Sequence, residues 1–479
     1  MSHVNLLFLF TDEQRADTMA AYGNDRIQTP NLNHLASEST VFDQAYVTQP
    51  VCTPSRSSIM TGLYPHTNGC TENNIPLRPE TPCITEMLPR GSYAAAYHGK
   101  WHLGDEIFAQ HGFDEWIGIE DGYHKYYSKE RTADARSAYH QFLVEGGFTP
   151  GKDGRFSRGT AARLPEEFGK PAFLGREASR FIREHKRDPF VLYVNFLEPH
   201  MPFYGPRDDQ HDPDEVTVPA NFGNTPTDEQ PLKTRAMHRF YREHGFGGLP
   251  LKTEADWRRL ICNYWGLCSL VDTHVGTILN TLDESGLRDN TIVVYTSDHG
   301  DMMGSHRLLA KCVMFEEAVR VPMLVRMPGQ AKGRRMHGPM SQIDLVPTLL
   351  EAMGQPIPDG LPGKSLLPIL RSRGNARLDK DVFIEWNGPN TGIRTDGHDE
   401  ALYAAITDPV RTVVSPDGWK LNCSPLGEHE LYNLRSDPLE TRNLAGDPDH
   451  RARMAELQGR LRAWQQDTGD EVALSDITP

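Results

Sequence analysis

Residues 4 to 11 read V-N-L-L-F-L-F-T, and Asp12-Glu13 closes the run at once. An almost wholly apolar segment of this length is too short for a globular helix and reads as a buried strand. Thr29-Pro30 then supplies a capping residue and a proline at a first helical turn, and Leu32, Leu35 and Ala36 fall on one face behind it. Strand then helix is the first unit. The alternation recurs. Phe190 to Leu197 (F-V-L-Y-V-N-F-L), Thr291 to Ser297 (T-I-V-V-Y-T-S), Val321 to Arg326 and Tyr93 to His98 read as strands, whereas Ile261 to Leu282 repeats its apolar residues at helical spacing. This pattern, held through the first three quarters of the chain, predicts an α/β fold around a mainly parallel sheet.

The chain has 479 residues, enough for one large α/β body with an appendage. After Pro368 the texture shifts to short strands (Val382 to Trp386, Val410 to Val414, Trp419 to Asn422) and a terminal helix with Met454, Leu457, Leu461 and Trp464 on one face. The division expected is a catalytic α/β domain over residues 1–370 and a small α+β subdomain over residues 371–479. Gly104 to Gly169 and Pro202 to Pro231 read as long surface excursions able to wall a pocket.

Lys and Arg number 50 against 65 Asp and Glu, a net charge of −15, which excludes a nucleic-acid or anionic-membrane surface. Any anion the protein handles must be held locally. No run approaches the ~18 apolar residues of a membrane helix, and Leu6 to Phe10 lacks the basic flank and cleavage site of a signal peptide, so a cytoplasmic location is expected. The seven cysteines (Cys52, Cys70, Cys83, Cys262, Cys268, Cys312 and Cys423) include no C-x-x-C pair and fit neither a disulfide framework nor a zinc ribbon. An odd number leaves at least one free.

Acidic or histidine-bearing turns follow the strands: Asp12-Glu13, Glu198-Pro199-His200 and Asp298-His299-Gly300. Ligands of open α/β sheets gather beyond the carboxyl ends of strands, so these turns can converge. Asp12, Glu13, Asp298 and His299 together offer oxygen-rich ligation for a divalent ion. Such ligands suit Ca²⁺ or Mg²⁺, and an imidazole among them moves the balance towards Mn²⁺; Ca²⁺ is the first expectation.

The sharpest local pattern is Cys52-Thr53-Pro54-Ser55-Arg56, followed by Ser57-Ser58-Ile59-Met60 and Thr61-Gly62. C-x-P-S-R-x-x-x-x-T-G resembles the signature of the sulfatase family, and Gly99-Lys100-Trp101-His102-Leu103-Gly104 is similar to its second signature. Further segments resemble the family too: Phe315 to Pro322 (F-E-E-A-V-R-V-P), Ile343 to Leu350 (I-D-L-V-P-T-L-L), and Glu430 to Leu434 with Asn443-Leu444.

The resemblance implies an alkaline-phosphatase-like α/β/α sandwich with a small C-terminal antiparallel sheet and helix. It implies that Cys52 is oxidised to Cα-formylglycine by a separate formylglycine-generating enzyme, and that the aldehyde hydrate attacks a sulfate ester and later expels sulfate. Arg56 would steady the modified side chain, and Cys52 itself would join the metal ligands. Lys100 and His200 would contact ester oxygens, as would Lys311 in G-S-H-R-L-L-A-K and, in some relatives, a residue placed like Asn73. His102 would take the proton that triggers elimination, and His200, at an unperturbed pKa near 6.5, could protonate the leaving alkoxide. The family pattern has Asp-Asp in the first turn, so Glu13 departs from it. His306 is close in sequence, with no role assigned. The implied substrate is a small sulfate monoester in an arylsulfatase-like reaction, and the implied assembly a dimer or tetramer. The nearest alternative is a phosphonate monoester or phosphodiester hydrolase of the same superfamily; those relatives tend to place Tyr and Thr where this chain has Lys100 and His102. A noncatalytic metal-binding relative would be expected to lose Cys52, Arg56 or Lys311.

Overall fold

The computed structural model describes residues 3–122, 134–372, 374–389, 393 and 399–477. Part of the Gly104 to Gly169 excursion, residues 123–133, and parts of the C-terminal region therefore lie outside the described residues. Among the described residues a ten-stranded sheet organises the chain. Its strands are β1 (Asn5–Asp12), β2 (Thr40–Tyr46), β3 (Ala94–Gly99), β4 (Glu115–Gly118), β5 (Phe190–Pro199), β6 (Thr291–Ser297), β7 (Arg320–Val321), β8 (Met323–Arg326), β9 (Arg334–Ser341) and β10 (Ala376–Arg377). The order is β10-β9-β2-β8-β6-β1-β5-β3-β4, with β7 paired to β2. Only β8 and β7 run against the others.

β1 lies at the centre, parallel to β6 on one side and β5 on the other. Its alternation explains why the run is continuously apolar: Leu6, Phe8 and Phe10 enter one core, Leu7 and Leu9 the other. Ile292 and Val294 of β6 follow the first set, and Val293 and Tyr295 the second. A strand with helices on both faces has no wet side and no reason for polar alternation. Helices Pro30–Ser37 and Lys170–Glu184 cover the second face, whereas Cys52–Thr61 and Leu345–Ala352 pack on the first. Helix Glu254–Glu284 starts seven residues before the periodic stretch, because a capping box of Thr253 and Asp256 fixes its first turn.

Pro322 splits the expected Val321 to Arg326 strand into β7 and β8, as a residue without an N–H must. The Gly104 to Gly169 excursion carries structure of its own, including edge strand β4 and helix Ala138–Glu145. β10 still adds to the large sheet through β9. The second sheet begins at β11 (Val382–Glu385) and continues antiparallel through β12 (Arg411–Val414), β13 (Trp419–Cys423) and β14 (Glu430–Asn433). Met454, Leu457, Leu461 and Trp464 of helix Arg451–Thr468 cover one face of it, with Val413, Leu421 and Leu431. The other face, with Ile384, Val414 and Tyr432, is continuous with the large core. Buried Lys420 fastens the two through Glu316 at 3.1 Å and Glu440 at 2.8 Å. All seven cysteines are free and buried. Among the described residues no helix is long and apolar enough to cross a membrane.

Gly99 ends β3 at φ 125°, and a Cβ there would lie 1.9 Å from the Asn195 carbonyl oxygen of β5. Only glycine lets these strands close just before Lys100. Gly99→Ala is expected to cost on the order of 3 kcal/mol, read as a lower denaturant midpoint, and to cut turnover with it, because Asn195 belongs to the site.

Candidate functional site

The parallel strands β6, β1, β5 and β3 are neighbours, so their carboxyl ends share one edge of the sheet. That edge receives Asp298-His299, Asp12-Glu13, His200 and Lys100-His102 in turn. Above it stands helix Cys52–Thr61, every residue of which is buried. The helix begins at Cys52 itself, two residues earlier than a start at Pro54 would place it. Pro54 is tolerated because its missing N–H is among those a first turn leaves unpaired. Asn73 satisfies another, accepting the Thr53 N–H at 3.0 Å. The carbonyl end of Asn73 is thus committed to the helix start.

Arg56, one turn on, is 1% exposed. Its Nε donates to Asp298 Oδ2 at 2.9 Å and its Nη2 to Asp12 Oδ2 at 2.9 Å. Its Nη1 reaches the Lys100 carbonyl at 2.8 Å and Asn195 Oδ1 at 2.7 Å. One guanidinium therefore ties together the ends of β6, β1, β3 and β5. A buried charge held this way is costly to expose by halves, and deleting one carboxylate partner is worth roughly 3–5 kcal/mol.

Lys100 also donates to Asp12 Oδ2. With that oxygen taken by two cations, Oδ1 faces Cys52 Sγ at 3.7 Å and His299 Nε2 at 3.8 Å. Cys52 Sγ lies 3.1 Å from the same imidazole nitrogen. The Gly300 carbonyl can only accept, so His299 Nδ1 carries its hydrogen at 2.9 Å and Nε2 is the atom that turns to the group. Asp298 Oδ1 is oriented by the Glu13 and His299 N–H groups at 3.0 and 2.8 Å. Ligand atoms of Asp12, Cys52, Asp298 and His299 all lie within 4.8 Å of one another, and all four residues are buried. Two pre-oriented carboxylates, an imidazole of fixed tautomer and a residue at the helix start form a donor set that fits a divalent ion.

Glu13 falls in a neighbouring group with Asp12 and His200. It sits at φ 71°, its carbonyl receiving the Tyr264 hydroxyl at 2.7 Å. Its Oε2 meets Lys311 Nζ at 2.9 Å and His200 Nε2 at 3.4 Å. Its Oε1 and Asp301 Oδ2 are buried and meet no hydrogen-bond donor among the described residues.

The same cavity drives adjacent carboxyls in opposite directions. Burial would raise Asp12, but Lys100, His200, Arg56 and Lys311 hold it well below the usual carboxylate range. For Glu13 burial wins over Lys311, with Asp301 adding to it, and its pKa is pushed up to about 8. Burial opposes a charged His299, but Asp298 and the Cys52 sulfur outweigh it and raise the ring to about 9. His200 departs from an unperturbed histidine: burial, with Lys311 and Lys100, pulls it well below 6.5 against Asp12. Burial, Lys100 and Arg56 do the same to His102.

Residues 4–355 match the family profile described as Sulfatase. The chain belongs to the sulfatase family. Residues 304–467 also match the C-terminal region of N-sulphoglucosamine sulphohydrolase. The sulfatase is 27% identical to the ulvan-active sulfatase of Formosa agariphila over 488 residues, 98% of this chain and 83% of that one. It is 28% identical to the choline-sulfatase of Rhizobium meliloti, covering 93% and 83%. In fold it matches the phosphonate monoester hydrolase of Silicibacter pomeroyi, with a TM-score of 0.80 at 24% identity over 98% of this chain and 96% of that one. As sulfatases are hydrolases, so is this chain, and its architecture is that of the alkaline-phosphatase-like superfamily.

Several residues at the site were not singled out from the sequence. Asn195 was legible as the lone amide inside an apolar strand, and Asp301 as a further acid in D-H-G-D. Asn74, whose Oδ1 meets His102 Nε2 at 2.9 Å, and Glu106, which accepts the Trp101 and His102 N–H groups at 2.9 and 2.6 Å, carry no local signal. His306 stacks on Phe315 at 4.2 Å and meets Asn221 at 3.1 Å.

Asp298→Ala removes a candidate ligand oxygen and an Arg56 partner together. Elemental analysis of the purified protein is expected to show stoichiometric divalent metal in the parent and none in the variant; metal retained at full occupancy would move the centre elsewhere.

Proposed function

We propose that the protein hydrolyses sulfate monoesters, with Cys52 converted to Cα-formylglycine as the nucleophilic residue and Asp12, Asp298 and His299 holding a divalent ion. The observation that carries this reading is the position of Cys52: the first residue of a buried helix, 3.1 Å from His299 Nε2 and beside Asp12. The aldehyde hydrate supplies an oxygen nucleophile with a second hydroxyl for elimination. A divalent ion held by Asp12, Asp298 and His299 would supply Lewis-acid charge for the nucleophilic hydroxyl and the ester oxygens.

The chain's own groups do the rest. Arg56 fixes Asp12 and Asp298 so that neither relaxes when the site fills. Lys100 and Lys311 bring two buried positive charges to an anionic ester, where preorganised donors act most strongly. The Gly300 carbonyl sets His299. His102 is held neutral, and with Asn74 Oδ1 accepting from Nε2 its Nδ1 is the basic nitrogen. It is suited to take a proton. His200 gives Nδ1–H to the Met201 carbonyl at 2.8 Å, so Nε2 is the atom that exchanges a proton beside Glu13 and Lys311. An anionic ester entering next to it favours the charged ring and so a proton for the leaving alkoxide.

The second reading, a phosphonate monoester or phosphodiester hydrolase, shares the metal-type turn. A diester replaces one non-bridging oxygen by an organic group. The buried Lys100 ammonium suits a charged oxygen rather than an ester substituent, which supports the sulfate reading. Lys100→Ala is expected to lower sulfate-ester kcat/KM on the order of 10² while sparing diesters more. His102→Ala is expected to release one equivalent of alcohol rapidly and then turn over slowly.

Conversion of Cys52 exchanges H2S for one oxygen, which peptide mass spectrometry reads directly. Activity should scale with the converted fraction and vanish in Cys52→Ala; full activity in protein whose Cys52 is wholly unmodified overturns the mechanism.

A further inference from the structure

A cavity of about 600 Å³ opens beside the site, with Lys311 in its wall. Met201, the neighbour of His200, lines it together with Phe240, Tyr241, Phe246, Leu249 and Pro250. It adjoins the site rather than standing apart: Lys311 donates to Glu13 Oε2 at 2.9 Å and the Met201 carbonyl accepts from His200 Nδ1 at 2.8 Å.

The apolar wall is built, not left over. Helix Leu232–His244 stops at Gly245, where a Cβ would lie 2.1 Å from the Leu249 carbonyl oxygen. Phe246 and Leu249 then exchange backbone hydrogen bonds at 2.8 and 2.9 Å around Gly247 and Gly248, at φ 60° and 88°. Two positive φ angles in succession make the tight hairpin turn that glycine pairs favour. The return strand is pinned by Trp257 Nε1 on the Leu251 carbonyl at 3.1 Å, and the Phe246 ring packs on Phe203 with centroids 5.4 Å apart. The turn therefore holds two apolar side chains over the cavity on a fixed scaffold.

The geometry points to a sulfate ester of a bulky apolar alcohol or phenol as the substrate, its organic group seated between Phe240, Phe246 and Leu249. This rests on the sulfate-ester reading above and narrows it. A space of about 150 Å³ already accepts one benzene ring, so this cavity has room for more than a single ring. A sugar ring needs a polar partner for each hydroxyl, and beyond Lys311, His244 and Tyr241 this wall offers mainly aromatic and aliphatic carbon, which selects against it.

The test compares phenyl sulfate, 2-naphthyl sulfate and glucose 6-sulfate on the metal-loaded, matured enzyme. The naphthyl ester is expected to exceed the phenyl ester in kcat/KM by about tenfold or more, the order for burying one further ring. Glucose 6-sulfate should fall about 100-fold below both. Phe246→Ala and Leu249→Ala should bring the naphthyl-to-phenyl ratio to within about twofold of one, mainly through KM. Circular dichroism spectra and thermal unfolding transitions like the parent's show that they fold. Equal rates on the two aryl esters, a preference for the sugar sulfate, or an unchanged ratio in both variants overturns the inference and leaves the sulfate-ester reading standing. Absence of turnover on every sulfate ester, with a phosphonate monoester or diester hydrolysed, overturns that underlying reading.

Discussion

The Arg56 guanidinium is the contact on which both the sheet edge and the site depend. It comes from a helix that lies over the carboxyl ends of the strands, and its donors end on groups from β6, β1, β3 and β5. A lysine could satisfy one or two of these acceptors, whereas the planar fork meets all four at once. Its charge is stranded without Asp12 and Asp298, and their charges are stranded without it. The same bonds that close the helix onto the sheet thus fix the two carboxylates against each other, and Cys52, one helical turn away, inherits its place from them.

Crowding of charge then sets the chemistry. Asp12, Glu13, Asp298 and Asp301 face Arg56, Lys100 and Lys311 in a space that excludes water, so protons settle where cations do not reach. Asp12 stays ionised between Lys100 and Arg56, while Glu13, with one oxygen turned to Asp301, is driven the other way. His299 is raised by its acidic neighbours, and a cation in the group would compete with that proton directly, so binding and proton release are linked.

Much of this was legible in the chain, and the parts that were not share a cause. The run V-N-L-L-F-L-F-T predicts a strand because burial on both faces removes polar alternation, and β1 is that strand. The acidic turns after strands predict convergence because parallel strands end together. The Arg56 network was not legible: which acceptors a buried arginine reaches depends on helix placement over the sheet, a property of tertiary packing. The helix start at Cys52 has the same origin, since Asn73 accepts its Thr53 N–H from twenty residues away. The histidines show the limit most clearly. From sequence His200 carries an ordinary pKa, but the burial and the two lysines that depress it come from separate segments.

The two halves of the site answer to different constraints. The groups proposed to meet the reacting ester lie at strand ends and the helix start, where Gly99, Arg56 and the sheet register leave little freedom. Apart from Ala310, Lys311 and Cys312, which follow β6, the cavity is walled by Met201 and by the helix and hairpin turn over residues 240–250, in the long connection from β5 to β6 that the sheet does not constrain. That connection can change its side chains without disturbing a single Arg56 bond. On the reading proposed here one fixed charge network would serve many organic groups, and the part of this chain that would select among them is the turn held by Gly247 and Gly248, in a segment that packs on Trp257 and Phe203 rather than on Asp12 or Asp298.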